Sequence, residues 1–200
     1  MIIMGEIKFT SKEKKVLLVL FKEFNVYYNA NSLSKIVGIS RIGAMKILKK
    51  FLKENILVSQ QIGKSIVYKI NLNDDYTRKL VSFLLADEAH NFERWKDEFK
   101  ELSGKEIVLL YGSTIKNYTQ ARDIDVMVII KDKVHKRINE ILNERRKILP
   151  KPLHDIFLTK EDMIKNVKMK KPAIIDTIKN AIVLYGQEEY VDIIKNVTSI

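Results

Sequence analysis

The sequence predicts an α/β (α+β) chain of two domains: a small basic helical module closed by a β-hairpin, and a larger unit on a small mixed sheet, the two joined by a long helix. Three observations predict it. Charge is uneven: residues 1–72 hold 13 Lys and Arg against 4 Asp and Glu, a net of +9, out of +11 for the whole chain. Strand-length apolar runs at 107–111, 126–130 and 153–159 alternate with amphipathic helical stretches, as a layered α/β unit requires. Between residues 73 and 103 no Pro or Gly interrupts the chain. These shifts set boundaries at 1–72, 73–103 and 104–200.

Composition narrows the classes. At 200 residues and 46% hydrophobic content the chain can fill two modest cores. It has no Cys, which excludes disulfides and Cys-based zinc or redox sites. No apolar segment is long enough to span a membrane, and Met1-Ile2-Ile3-Met4 is too short for a signal peptide, so a cytoplasmic location with no membrane partner is expected. A basic module beside a near-neutral one is the electrostatic footprint of nucleic-acid binding.

Within the basic module, Thr10 or Ser11 can cap a helix reaching about Phe24, with Val16, Leu17, Leu20, Phe21 and Phe24 at helical spacing. Asn31 is expected to cap a short helix through Leu33, Ile36 and Val37. Gly38-Ile39-Ser40 makes a turn, and Ser40 can cap a third helix over 41–54 with Ile42, Met45, Leu48, Phe51 and Leu52 inward. Two strand-like runs, 56–61 and 65–70, flank Ile62-Gly63-Lys64 and predict a hairpin with a basic tip. This order resembles the winged helix-turn-helix fold. The resemblance implies a third helix in the major groove and a wing on backbone or minor groove. The residues expected to face DNA are Ser40, Arg41, Lys46, Lys50 and Lys64. The lysines suit phosphates, and Arg41, near the helix start, suits a base edge. Winged helices also serve as protein–protein modules, a reading that the charge disfavours.

Asn73-Asp74-Asp75-Tyr76 has a cap and first-turn acids. Tyr76, Leu80, Phe83, Leu84, Phe92, Trp95, Phe99 and Leu102 follow at three- and four-residue steps. One long helix is expected, with Asp87–Asn91 the place for a break. Its stripe reads as core or dimer interface, and a homodimer is expected.

The most specific signal is Tyr111-Gly112-Ser113, nine residues, then Asp123-Ile124-Asp125-Val126. In a strand, residues i and i+2 share a face, so Asp123 and Asp125 project together. Two adjacent carboxylates repel, and a hard divalent cation such as Mg2+ relieves that. A glycine lets backbone approach a ligand, and a following Ser offers donors to phosphate. The set suggests a metal–nucleoside triphosphate site. It resembles the nucleotidyltransferase superfamily related to DNA polymerase beta, in its minimal form, over about residues 104–200. The resemblance implies a third acid on a later strand, for which Asp155 in Leu153-His154-Asp155-Ile156 is the candidate. It also implies Gly112, Ser113 and Lys116 on the triphosphate, two Mg2+ ions on Asp123, Asp125 and Asp155, ATP or another NTP as donor, and NMP transfer to a hydroxyl, a partner protein's among the acceptors. Arg122 before Asp123 departs from the family pattern. His154 reads as structural, facing away from Asp155. Helices are expected over 133–148, 161–170, 173–184 and 187–197. The alternative is a DNA-binding transcription regulator whose second domain only senses nucleotide or is inactive.

Overall fold

The structure is a computed structural model and describes residues 9–104, 106–130 and 135–198. The expected start of the 133–148 helix lies outside the described residues. Two compact units divide at Thr77 and Arg78.

The first unit has the winged helix-turn-helix order: three helices, α1 (Ser11–Lys22), α2 (Ala30–Val37) and α3 (Arg41–Lys53), then strands β1 (Leu57–Ile62) and β2 (Ser65–Ile70). Thr10 caps α1 in a reciprocal box: its hydroxyl accepts from the Glu13 N–H, and the Glu13 carboxylate accepts from the Thr10 N–H. Asn29, not Asn31, caps α2. Asn29 is extended and accepts from the Asn31 and Ser32 N–H groups, so Asn31 already lies in the first turn. Ser40 caps α3, accepting from the Gly43 N–H at 3.0 Å.

The inward stripe of α3 differs from expectation. Ala44, Leu48 and Phe51 are buried, while Ile42 is 68% and Met45 38% exposed. Ala44 is small and easily read as neutral, yet it centres the stripe. At about 100° per residue, Ile42 then falls nearly opposite. The hairpin pairs Leu57 with Ile70 through Ile62 with Ser65, leaving Gly63 and Lys64 as its two-residue turn. A bridge between Tyr28 and Tyr68 ties the α1–α2 connection to the wing.

The second unit begins within α4 (Asp75–His90) and continues through α5 (Glu93–Glu98), β3 (Ile107–Tyr111), the single turn α6 (Ser113–Lys116), β4 (Ile124–Ile130), α7 (His135–Ile148), β5 (Leu153–Thr159), α8 (Lys160–Lys168), α9 (Pro172–Asn180), β6 (Ile182–Tyr185) and α10 (Gln187–Thr198). The connector is two helices, parted inside the Asp87–Asn91 stretch where a break is expected. It starts from Asp74, whose carboxylate accepts from the Thr77 N–H and hydroxyl at 2.8 Å, rather than from Asn73. It breaks after His90, where the Asn91 side chain donates to the Asp87 and Glu88 carbonyls. Of its stripe, Trp95, Phe99 and Leu102 are core, whereas Phe83 is 60% exposed.

The sheet runs β5-β4-β3-β6, with β4 and β5 parallel and the other pairs antiparallel. Residues 182–184, expected to end a helix, instead form β6 with Tyr185 against β3. Their run Ile182-Val183-Leu184-Tyr185 is buried or nearly so, and a short continuous apolar run carries no period that separates strand from helix. One sheet face, with Val108, Leu110, Ile124, Val126, Val128 and Leu153, packs with Trp95, Phe99 and α7 residues Ile138, Ile141 and Leu142. The alternate residues Leu109, Met127 and Ile129 are buried on the other face, where α8 and α10 meet β4 and β3. This alternation decides which side chains share a site.

Candidate functional site

The residues expected to carry function lie on two surfaces, one in each unit. In the first, α3 turns Arg41, Ile42, Met45, Lys46, Lys49 and Lys53 to solvent, opposite Ala44 and Leu48. Ser40 is exposed at the head of the helix and Lys64 at the wing tip. Lys49 and Lys53 join the expected set on the outward row.

Lys50 does not belong to that row. Its ammonium donates to Glu13 Oε1 at 2.7 Å, and it sits 5.5 Å and 5.7 Å from the Phe9 and Phe51 ring centroids. Its position, a quarter-turn off the outward line, aims it back at α1, so it braces two helices. Burial pushes the Glu13 carboxyl up, but hydrogen bonds from Lys50 and Thr10 outweigh this and hold it below the usual carboxylate range. A depressed folded pKa gives stability that is present above the unfolded value, 4.5, and is lost as pH falls through the folded one. Glu13→Ala removes both the capping box and the ion pair. It is expected to cost about 1–3 kcal/mol and to flatten the acid limb of stability against pH, read by thermal melts of the full chain.

In the second unit, β3 ends at Tyr111, opposite Asp125 on β4, and β4 and β5 both start at this end of the sheet. Gly112 sits at φ +77°, ψ −155°, which a side chain disfavours. A Cβ there would lie 2.1 Å from Asp125 Oδ2, so the turn presses its backbone against that carboxylate. Asp123, just before β4, is held by Thr114, whose hydroxyl donates to the Asp123 carbonyl at 2.8 Å. Lys151 donates to the Tyr118 and Ala121 carbonyls, the latter at 2.5 Å, and closes the loop between Ser113 and Asp123. Tyr118 lies between Arg94 and Lys151, 4.3 Å and 4.4 Å from its ring. Ser113 and Lys116 are exposed beside the acids in sequence, on α6.

Asp123 and Asp125 come together as expected, but Asp155 does not join them. In the parallel register Asp125 pairs with His154, and Asp155 pairs with Val126 on the opposite face. There Asp155 is 6% exposed at its side chain and ion-paired with Arg146 of α7. The one-residue difference in strand phase is the physical reason. His154 takes the place expected for Asp155: its Nδ1 lies 3.4 Å from Asp123 Oδ2 and 3.8 Å from Asp125 Oδ1. Ligand atoms of Asp123, Asp125 and His154 all lie within 4.8 Å of one another. Burial, then the Asp123 charge, push the Asp125 carboxyl up, and His154 pulls it partly back. Burial and the same acids raise Tyr111. Arg122 is exposed and, among the described residues, pairs with neither acid.

His154, read from the sequence as structural, is instead the third group beside the two acids. The signal was its placement one residue before Asp155, two phases that only the register distinguishes. Asp155→Asn is expected to destabilise the fold by about 1 kcal/mol through loss of the charged bond from half-exposed Arg146 to the buried side chain, and to leave cation affinity at the Asp123–Asp125 pair unchanged, as calorimetric titration would show.

No helix among the described residues is long and apolar enough to cross a membrane. No family model matches the chain, and no curated protein matches it. Among solved structures it is similar to the adhesin competence repressor AdcR of Streptococcus pyogenes, at 14% identity and a TM-score of 0.37, covering 49% of this chain and 71% of that one. It is also similar to Lactococcus lactis ZitR, described as a zinc-responsive MarR family member, at 15% identity and a TM-score of 0.34, covering 70% of this chain and 78% of that one. A ZitR variant in complex with DNA matches at 15% identity and a TM-score of 0.33, covering 70% of this chain and 77% of that one. At these scores the matches carry no weight, and the winged-helix assignment rests on the chain's own element order.

Proposed function

We propose that the chain is a transcription regulator that binds duplex DNA through α3 and the β1–β2 wing. The observation that carries this is the outward row of α3. Arg41, Lys46, Lys49 and Lys53 are exposed, as is Lys64 at the wing tip, in a segment of net charge +9. A helix with cations on its free side suits the major groove, where the lysines meet phosphate and Arg41, one residue past the Ser40 cap, reaches a base edge. Exposed Ile42 and Met45 supply apolar contact for thymine methyls. Selection of bound duplexes from a random pool, followed by anisotropy titration of the winners, tests it. Absence of any enriched sequence, with affinity no greater than for a single strand, would count against the reading.

A second reading concerns the acid pair. Asp123 and Asp125, set against the Gly112-Ser113 turn, suit one divalent cation carrying a nucleoside triphosphate, ATP among them. When bound, such a cation neutralises the pair and draws in phosphate oxygens. Ser113 and Lys116 would contact the phosphates. Among the described residues no third carboxylate joins the pair to hold a second Mg2+, because Arg146 holds Asp155 on the other face. Nucleotide binding as a signal to the DNA-binding unit therefore fits better than NMP transfer. Incubation with labelled ATP, GTP, CTP and UTP, with Mg2+ and separately with Mn2+, decides between them. Retention without pyrophosphate release supports sensing, and label on the chain or on a partner protein restores transfer.

A further inference from the structure

We propose that His154 is a metal ligand and that the Asp123–Asp125–His154 set selects a nitrogen-accepting divalent ion, Mn2+ or Zn2+, over Mg2+. This rests on the reading of the acid pair as a cation site. Ligand atoms about 2.0–2.2 Å from a metal lie roughly 3–3.5 Å from one another. The imidazole Nδ1 stands 3.4 Å from one acid and 3.8 Å from the other, within small side-chain rotations of that spacing. Three features prepare the set. The parallel pairing of Asp125 with His154 puts both side chains on one face at adjacent strands. The turn at Gly112 fixes Asp125, and Thr114 fixes the backbone of Asp123. His154 is 62% exposed at its side chain, so its ring is not held there by core packing and is open to an ion from solvent.

The donor chemistry sets the preference. Mg2+ takes oxygen donors in a near-ideal octahedron and keeps several waters. One imidazole and two carboxylates suit Mn2+, Co2+ or Zn2+, with Zn2+ the tighter by the usual order of divalent ions. The competing account is that His154 is protonated and acts only as a counter-charge to two crowded acids. The two accounts differ in sign. A counter-charge competes with a metal, so removing it strengthens metal binding. A ligand donates to the metal, so removing it weakens binding.

Isothermal titration of the full chain with MnCl2, ZnCl2 and MgCl2, without nucleotide, tests this, with Mn2+ electron paramagnetic resonance as a second readout. Wild type is expected to bind Mn2+ at least ten-fold tighter than Mg2+. His154→Ala and the closer-sized His154→Gln are expected to lose roughly ten- to 100-fold in Mn2+ affinity with Mg2+ affinity little changed. His154→Asp is expected to raise Mg2+ affinity above that of wild type through a third carboxylate. Equal or tighter Mn2+ binding in His154→Ala and His154→Gln, with melting temperatures at the wild-type value, overturns the proposal. A parallel titration with a fluorescent ATP analogue separates it from the nucleotide reading. His154-dependent Mn2+ binding without nucleotide retention upholds the ligand and removes the nucleotide. Nucleotide retention with His154-independent Mn2+ binding does the reverse.

Discussion

Replacing Arg41, Lys46 and Lys49 together by Ala is expected to weaken duplex binding by about two orders of magnitude or more while leaving the melting temperature near that of wild type. A bidentate contact from Arg to a base is worth about 1–3 kcal/mol, and each Lys removed lowers the salt slope by about 1. All three side chains are exposed, and surface changes away from caps and core usually stay within about 0.5 kcal/mol of stability. Arg41→Ala alone should relax preference at one base position, whereas Lys46→Ala and Lys49→Ala should weaken all duplexes alike. Lys50→Ala gives the contrast. It breaks the 2.7 Å pair with buried Glu13, so it lowers the melting temperature and changes DNA affinity least of the four. Anisotropy titrations and melts on the same preparations check both arms.

Gly112→Ala is expected to be the most damaging single change in the second unit. The added Cβ would meet Asp125 Oδ2 at 2.1 Å and Asp125 Cγ at 3.0 Å, in a backbone conformation at φ +77°. A non-glycine residue held in so sparse a region costs about 1–3 kcal/mol. The carboxylate must also swing away, which separates it from Asp123 and His154. The expected result is a melting temperature lower by roughly 5–10 °C together with loss of divalent-ion binding. If cation affinity survives, the turn does not position Asp125 and the account of the cluster is wrong.

Much of this was legible in the residues. Ser40 before a helical run, Gly63-Lys64 between two β-branched runs, and Gly112-Ser113 between two apolar runs each carry local chemistry that fixes a cap or a turn. The Asp123–Asp125 pairing followed from strand period alone. What failed was global. The phase of β5 is set by its parallel pairing with β4, so a shift of one residue exchanged Asp155 for His154. The run 182–185 has no period of its own, and only the free edge of β3 made it a strand. Lys50 looked like any other lysine on α3 until Glu13, 37 residues earlier, was found beneath it.

The most direct test of DNA recognition is the dependence of duplex affinity on salt for the full chain. With Arg41, Lys46, Lys49, Lys53 and Lys64 engaged, the logarithm of affinity should fall steeply with the logarithm of salt, at a slope of roughly −3 to −5, and the triple Ala variant should show a markedly shallower line. A wild-type slope near zero, or one that the triple substitution leaves unchanged, would contradict the assignment of α3 and the wing as the DNA-binding surface.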